Sequence, residues 1–209
     1  YIVTWRGANI NDTDIVENLH EIAQAARLAR DSQFDYISFK PFLTRDEINN
    51  AEVIDFRGQQ NLQNTIDKIQ QQCDEALSLA TDNFRVTLST GLKAMLQGQT
   101  QTLAKQPRQC HMQFFHQVLS PLGLYNCPVY RNQDHGRLGD KNAAADELAW
   151  NSTLDQLTSL VKNFNATVTC EKVTCLYNDV NWWIEGLIED PQRLEKLPRD
   201  NSPEPDYFL

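Results

Sequence analysis

The sequence predicts an α/β protein whose first part alternates strands and amphipathic helices and whose smaller second part is an α+β unit built on a β-hairpin. Three observations carry that prediction. Strand-like, helix-like and strand-like runs follow one another between Tyr1 and Pro41, the texture changes near Pro107, and four of the five cysteines fall beyond that change. Strand, helix and strand in so short a span form the βαβ unit of a parallel sheet or barrel, with a right-handed crossover expected.

Tyr1-Ile-Val-Thr-Trp5 is rich in β-branched and aromatic residues and reads as a strand, followed by a turn-like passage from Gly7 to Asn11. Asp12, Thr13 and Asp14 offer N-caps for a helix whose apolar stripe is Ile15, Leu19, Ile22 and Ala26, running to about Arg30. Asp35 to Pro41 is a second strand. A polar stretch from Thr44 to Gln60 leads into a longer helix, where Leu62, Ile66, Ile69, Cys73, Ala76 and Ala80 recur at helical spacing. Phe84 to Leu88 is a third β-like run, and the passage from there to Pro107 is helix or loop.

Residues 110–130 alternate aromatic and aliphatic side chains around Ser120-Pro-Leu-Gly123, whose proline and glycine suit a type I turn, so a hairpin is expected. After a loop over 131–150, a helix over Ser152–Phe164 is predicted from Leu154, Leu157, Leu160 and Val161, with Ser152 and Asp155 as a capping pair. A short helix carrying Trp183, Ile184 and Leu187 follows Cys170-x4-Cys175. The segment from Pro198 is rich in Pro and Asp and lacks periodicity, as a tail or linker does.

Composition narrows the function classes. With 41% hydrophobic and 22% charged residues, the chain has the make-up of an ordinary globular protein. A net charge of -9 and a pI near 4.9 argue against a nucleic-acid partner, because phosphate binding needs clustered Lys and Arg. No apolar run is long enough for a membrane span, and no signal-peptide pattern opens the sequence, so a cytoplasmic protein without membrane contact is expected. The chain starts at Tyr1, directly in a strand and without Met, as a fragment of a longer protein would.

The cysteines are the chemical centre of the sequence. Cys73 lies on the apolar stripe of a helix, where a free thiol behaves as a small hydrophobe. Cys110-x16-Cys127 and Cys170-x4-Cys175 form a four-thiolate set drawn from distant segments. Soft thiolates select zinc or iron–sulfur clusters over hard cations, and four cysteines are the usual ligation of a [4Fe–4S] cluster. Spacing by itself allows zinc equally, although structural zinc prefers cysteine pairs two to four residues apart. A symmetric straight hairpin would place Cys127 opposite His116 and leave Cys110 about 20 Å further along at strand rise. Cys110 must therefore precede the paired strand at a point where the chain bends back, or His116 replaces it; the first is expected.

Cys110-x12-Gly123-x3-Cys127, then Gly139-Asp140 before a helix, then Cys170-x4-Cys175-Leu-Tyr-Asn-Asp-Val-Asn181 resembles the auxiliary-cluster region, SPASM or the shorter twitch domain, of radical S-adenosylmethionine (SAM) enzymes. The match covers about 107–190, and the upstream strand–helix–strand resembles the last repeats of that family's barrel. The resemblance implies distal βα units of a partial (βα)6 barrel over 1–106, a small α+β cluster-binding domain over 107–195 and a tail over 196–209. It implies one auxiliary [4Fe–4S] cluster held by Cys110, Cys127, Cys170 and Cys175, supporting electron transfer or substrate positioning. It also implies S-adenosyl-L-methionine and a peptide or small-molecule substrate in the longer parent, with an electron donor or acceptor protein as partner. Two departures matter. No cysteines are left for a second auxiliary cluster, which favours the twitch type. No Cys-x3-Cys-x2-Cys is present, so this chain alone is expected to be without radical activity. The competing expectation is a binding module in which zinc serves only folding.

Remaining candidates have blander readings beside them. Lys40, on the second strand, would meet an anionic group of SAM or substrate inside such a barrel, or else lie along a barrel rim. His111, His116 and His135 are candidate ligands or acid–base groups, as well as ordinary surface or core histidines. Trp182 and Trp183 would line a cleft or, as expected here, pack a small core. The sequons at Asn11, Asn151 and Asn165 are read as chance matches in an Asn-rich chain.

Overall fold

The computed structural model describes residues 1–5, 9–10, 13–14, 16–45, 51–56 and 61–197. It is a mixed α/β structure that divides into two compact units. One takes Tyr1–Thr44 and Val53–Thr102, and among the described residues the other takes Arg45, 51–52 and 103–197. The boundary expected from sequence was 106/107.

In the first unit, β1 (Ile2–Val3) is followed by a short antiparallel ribbon, β2 (Asn9–Ile10) and β3 (Thr13–Asp14). Helix α1 spans Ile22–Asp31, β4 spans Tyr36–Pro41, and β5 (Thr44–Arg45) and β6 (Glu52–Val53) pair as a second ribbon, of which Arg45 and Glu52 count with the second unit. Then come α2 (Leu62–Leu77), β7 (Arg85–Leu88) and α3 (Thr90–Leu96). Strands β1, β4 and β7 form a parallel sheet in that order, with Ile2 opposite Lys40 and Phe39 opposite Leu88. The βαβ expectation is thereby met. Pro41 fits because the amides of Lys40 and Phe42, its neighbours, make the bonds to β1, while the β7 ladder has already ended at Phe39.

Burial on the helices follows the predicted stripes in part. Ile22, Ala23 and Ala26 of α1 and Thr65, Ile69, Cys73 and Ala76 of α2 are buried, whereas Leu62 is exposed and Ala80 lies beyond the end of α2. Of these, Ile22, Ala26, Ile69, Cys73 and Ala76 join Val3, Trp5, Phe39, Phe84, Val86, Leu88, Leu92 and Met95 in one apolar core. Trp5 stacks on Phe56 at 4.9 Å and donates from Nε1 to the Asp55 carbonyl at 2.9 Å, so its polar edge is satisfied where it is buried. The first helix begins later than its sequence pattern suggested. A 3-10 turn at Leu19–Glu21 precedes α1, and Thr13 and Asp14 belong to a strand. Asn18 explains the delay: its Oδ1 accepts from the Thr4 amide and its Nδ2 donates to the Ile2 carbonyl, which ties this stretch to β1 instead of winding it. Ile15, the expected first stripe residue, lies outside the described residues, as do Asp12, the sequon residue Asn11 and the tail from Pro198.

The second unit contains a 3-10 turn at His111–Phe114, then β8 (Val118–Ser120), β9 (Gly123–Tyr125) and β10 (Arg137–Gly139). Helices α4 (Glu147–Asn163), α5 (Ala166–Thr169), α6 (Asn178–Glu189) and α7 (Gln192–Glu195) follow. The strands make an antiparallel sheet in the order β10-β9-β8, and Ser120 pairs with Gly123 as the hairpin prediction requires. Gly123 has φ +146°, and a Cβ there would meet the Gly139 carbonyl oxygen at 2.4 Å, so the third strand can close on the hairpin only over a glycine.

Two expectations in this half are corrected. Helix α4 starts at Glu147, capped by Asp146 accepting from the Ala149 amide, and Ser152 and Asp155 are interior to it. Its first turn exposes Leu148 and Trp150 and so shows no apolar stripe to read; Leu154 is exposed as well, the buried line being Thr153 and Val161. Trp182 and Trp183, expected in a core, are 50% and 47% exposed, and α6 instead buries Asn178, Asn181 and Leu187. No helix among the described residues is long and apolar enough to cross a membrane.

Candidate metal centre

Each of the four thiols is set by a local turn. Cys110 is extended and precedes the 3-10 turn at His111–Phe114, which folds the chain back before β8 begins. The bend takes Cys110 off the line of the hairpin, as the distance along a straight strand had required. The Met112 and Gln113 amides at the start of that turn point at its sulfur. These contacts fall outside the geometry of an oxygen-type helix cap, but the partial positive charge of the turn's start acts on the sulfur all the same.

Cys127 follows β9, and a turn closes over it as the Tyr130 amide donates to the Cys127 carbonyl at 3.1 Å. That turn directs the amides of Val129 and Tyr130 at the Cys127 sulfur. Arg45 bonds both Glu52 and the Val129 carbonyl, all three residues belonging to the second unit, and so secures the turn. Cys170 caps the C-terminus of α5, its amide donating to the Ala166 carbonyl at 3.0 Å. Asn165 holds the other end of that short helix by accepting from the Thr167 amide and hydroxyl. Cys175 is anchored through its amide to the Leu103 carbonyl, and its sulfur receives the Tyr177 amide just before α6 begins.

Side chains complete the surroundings. Asn181, fully buried on α6, accepts from the His111 and Met112 amides at 2.8 and 3.3 Å and presents Nδ2 to the Cys110 sulfur at 3.9 Å. One amide side chain thus fixes both the 3-10 turn and the thiol it carries. Asn178, one turn earlier, donates to the Lys105 carbonyl, which also receives the Trp182 indole N–H. The Tyr130 hydroxyl lies 2.6 Å from the Thr169 carbonyl oxygen and 3.4 Å from the Cys170 sulfur.

The four thiols act on one another electrostatically. Burial is the first cause of the raised pKa of each, pushing Cys127 up to about 11 and Cys170 up to about 12, with Cys110 and Cys175 also moved up. Beyond burial, every one of the six pairings among Cys110, Cys127, Cys170 and Cys175 adds mutual repulsion that disfavours ionisation. The directed N–H and O–H groups oppose it. Among the described residues, no group of three or more His, Cys, Asp or Glu side chains is drawn close enough to hold a single metal ion. The thiols are gathered at the range over which their charges act on one another. Cys73 stands apart in kind: it is raised to about 12 by burial and by Asp74, deep in the apolar core of the first unit.

The other sequence candidates divide. His111 is buried, with Nε2 3.2 Å from a Glu185 carboxylate oxygen but not aligned for a hydrogen bond. His116 directs Nδ1 to the Met112 carbonyl at 3.0 Å and packs edge-on against Tyr177. His135 is exposed and packs against the Tyr130 ring. Lys40 belongs to the first unit, where it lines a cavity of about 760 Å³ with Tyr1, Leu28, Phe34 and Ser38. After burial, its charge is the second cause that lowers the pKa of the Tyr1 amino group.

Sequence reading assigned no role to Tyr130, Asn178 or Asn181. The signal was faint but present, since Tyr130 stands three residues after Cys127 and the two asparagines share one face of α6. Comparison of the chain with protein-family models, with curated proteins and with solved structures finds no match.

Proposed function

We propose that the second unit binds an auxiliary [4Fe–4S] cluster through Cys110, Cys127, Cys170 and Cys175, as the C-terminal part of a radical SAM enzyme of the SPASM/twitch type. The observation that carries this reading is that four half-buried thiols all act on one another electrostatically, with the Tyr130 hydroxyl and the Asn181 side-chain amide presented to the sulfurs of Cys170 and Cys110. Buried thiolates bound to iron need such donors to offset their charge, and hydrogen bonds to sulfur and solvent exclusion are the protein's levers on cluster potential. The donor set therefore fits the group. When bound, a cluster of this kind supplies one-electron exchange or a fixed surface against which a substrate is held.

The chain's own residues then have definite tasks. The amides of Met112, Gln113, Val129, Tyr130 and Tyr177 stabilise thiolate charge. Asn181 keeps the Cys110 turn closed, and Arg45 keeps the Cys127 turn in place. In the first unit, the parallel β1-β4-β7 sheet with its crossover helices is read as the distal part of a partial (βα)6 barrel. Lys40 is read there as a cationic contact for SAM or a substrate carboxylate. The substrate class is a peptide or small molecule, with an electron-transfer protein as partner.

Anaerobic reconstitution with ferrous iron and sulfide tests the proposal. The expected product has four irons and four sulfides per chain and broad visible absorbance that is lost when any of the four cysteines is replaced by serine and retained in Cys73→Ser. A colourless protein that instead takes up one zinc ion tightly would overturn it in favour of the structural zinc module. The sequence holds no Cys-x3-Cys-x2-Cys, so the chain with its cluster reconstituted is expected to leave S-adenosylmethionine uncleaved under dithionite.

A further inference from the structure

The four sulfurs are not supplied with donors of the same kind. At Cys110, Cys127 and Cys175, backbone amides of the turn that follows the residue lower the thiol pKa against the rise caused by burial. Cys170 ends a helix, so the amides after it are committed elsewhere: that of Val173 donates back to the Cys170 carbonyl. Its donor is a side chain, the Tyr130 hydroxyl at 3.4 Å. That hydroxyl has a single proton and two acceptors in reach, the other being the Thr169 carbonyl at 2.6 Å.

Tyr130 is held firmly enough for this geometry to have meaning. The residue is fully buried, its ring meets Phe164 and His135 edge-on, and its backbone closes the turn over Cys127. Residue 130 therefore bears on two of the cysteines at once, its amide donating to the Cys127 carbonyl and its hydroxyl meeting the Cys170 sulfur. A phenol is protonated near neutral pH and can donate, while a metal-bound thiolate sulfur can only accept.

On the reading that the four thiols hold a cluster, we propose that Tyr130 is the residue that sets its reduction potential from the Cys170 side. The shared proton leans towards sulfur as electron density on sulfur rises, so the O–H···S interaction strengthens on reduction and stabilises the reduced state. Fixed amides stabilise both states, whereas a hydroxyl with an alternative acceptor responds to the difference between them. Hydrogen bonds to charged acceptors are the stronger class, and those to cluster sulfurs raise the potential.

The test is a mediated redox titration of the reconstituted protein, with iron and sulfide counted in every sample. Tyr130→Phe keeps the ring and removes the hydroxyl. It is expected to retain the cluster and to become several-fold harder to reduce at a fixed ambient potential. The deuterium-sensitive part of the terminal Fe–S(Cys) vibrations assigned to the O–H donor should vanish with it. Phe164→Leu alters the packing of the ring without touching the hydroxyl, and its potential should stay at the wild-type value.

If Tyr130→Phe fails to hold a cluster, fluorinated tyrosines at position 130 supply hydroxyls of graded donor strength, and the potential should rise with that strength. A cluster of full stoichiometry whose potential ignores both the phenylalanine and the fluorotyrosine series overturns the role of Tyr130 and leaves the cluster reading intact. An equal shift in Phe164→Leu also overturns it, since packing would then be the cause. Failure of the wild-type protein to take up iron and sulfide overturns the cluster reading itself, and this inference with it.

Discussion

The two units of this protein bury different mixtures of side chains. The first buries Val3, Trp5, Ile22, Phe39, Ile69, Leu92 and Met95 in one apolar core beside a parallel sheet, and its lone thiol, Cys73, disappears into that core. The second buries Tyr125, Tyr130, Leu138, Val161, Phe164 and Val173, and adds to them the polar side chains of His111, Gln113, Asn126, Asn178 and Asn181. Apolar burial is the main source of folding free energy, and a polar interior contributes only through well-made hydrogen bonds. The interior of the first unit is therefore mainly apolar, whereas that of the second also depends on how well its buried polar groups are paired; on the proposed function, a cluster bound by the four thiols would add to the stability of the second unit.

The largest expected effect breaks the second unit alone. Cys175→Ser should reduce bound iron at least tenfold. Amide protection over residues 110–130 and 165–187 should then fall to that of the metal-free protein, while α1 and α2 keep theirs by hydrogen–deuterium exchange. Equal loss of protection in α1 and α2 would mean that the units do not differ in this way. The reciprocal change is Phe39→Ala, which should cost about 3–5 kcal/mol as a large core truncation. Denaturant unfolding followed through α2 amides measures it, and iron uptake per chain in buffer should be unaltered.

Asn181→Ala sharpens the comparison at intermediate size. It removes the acceptor of two amides and one donor to sulfur, and should destabilise the metal-free second unit by about 1–3 kcal/mol through the buried amides left unpaired. Unfolding monitored at residues 108–116 reads this directly, and a change within error would show that the turn needs no such clamp.

pH gives a gentler handle. Folding raises the Cys127 and Cys170 thiols from 9.0 to about 11 and about 12, so between those values the folded state holds more protons than the unfolded state. Their contribution to stability is whole below about pH 9 and is lost as pH rises through 11 to 12. The metal-free unfolding midpoint of the second unit should decline over that window, and the Cys127→Ala, Cys170→Ala double variant should flatten the decline. Metal loading near neutral pH should release protons, since bound thiolates are deprotonated. The smallest effect is that of Cys73→Ala, about 1 kcal/mol on the first unit, with iron content unchanged.

Much of the fold was legible before any coordinates. The parallel strands, the stripe of α2 and the register of the hairpin about Pro121–Leu122 all follow from patterns that repeat at a fixed period. Where the reading slipped, a polar side chain had overridden the pattern. Asn18 ties the chain to β1 ahead of α1, and Asp146 starts α4 ahead of its first buried residue. Trp182 and Trp183 misled because large aromatics suggest a core, while the buried face of α6 belongs to two asparagines whose partners lie some seventy residues away in sequence. No local window contains that information.

By itself the sequence set Cys73 apart from the other four cysteines, because Cys73 sits on a helical apolar stripe and the others do not. It also left two arrangements at the hairpin, Cys110 ahead of the paired strand or His116 in its place, and the structure has Cys110 ahead of the strand. Only the tertiary structure decided what each sulfur meets: amides for Cys110, Cys127 and Cys175, the Tyr130 hydroxyl for Cys170, and the Asn181 clamp across them. The physical reason is that periodicity encodes which side of an element is buried, whereas hydrogen bonds to a sulfur depend on the direction of single N–H and O–H groups. Those directions are set by turns whose closing partners come from elsewhere in the chain.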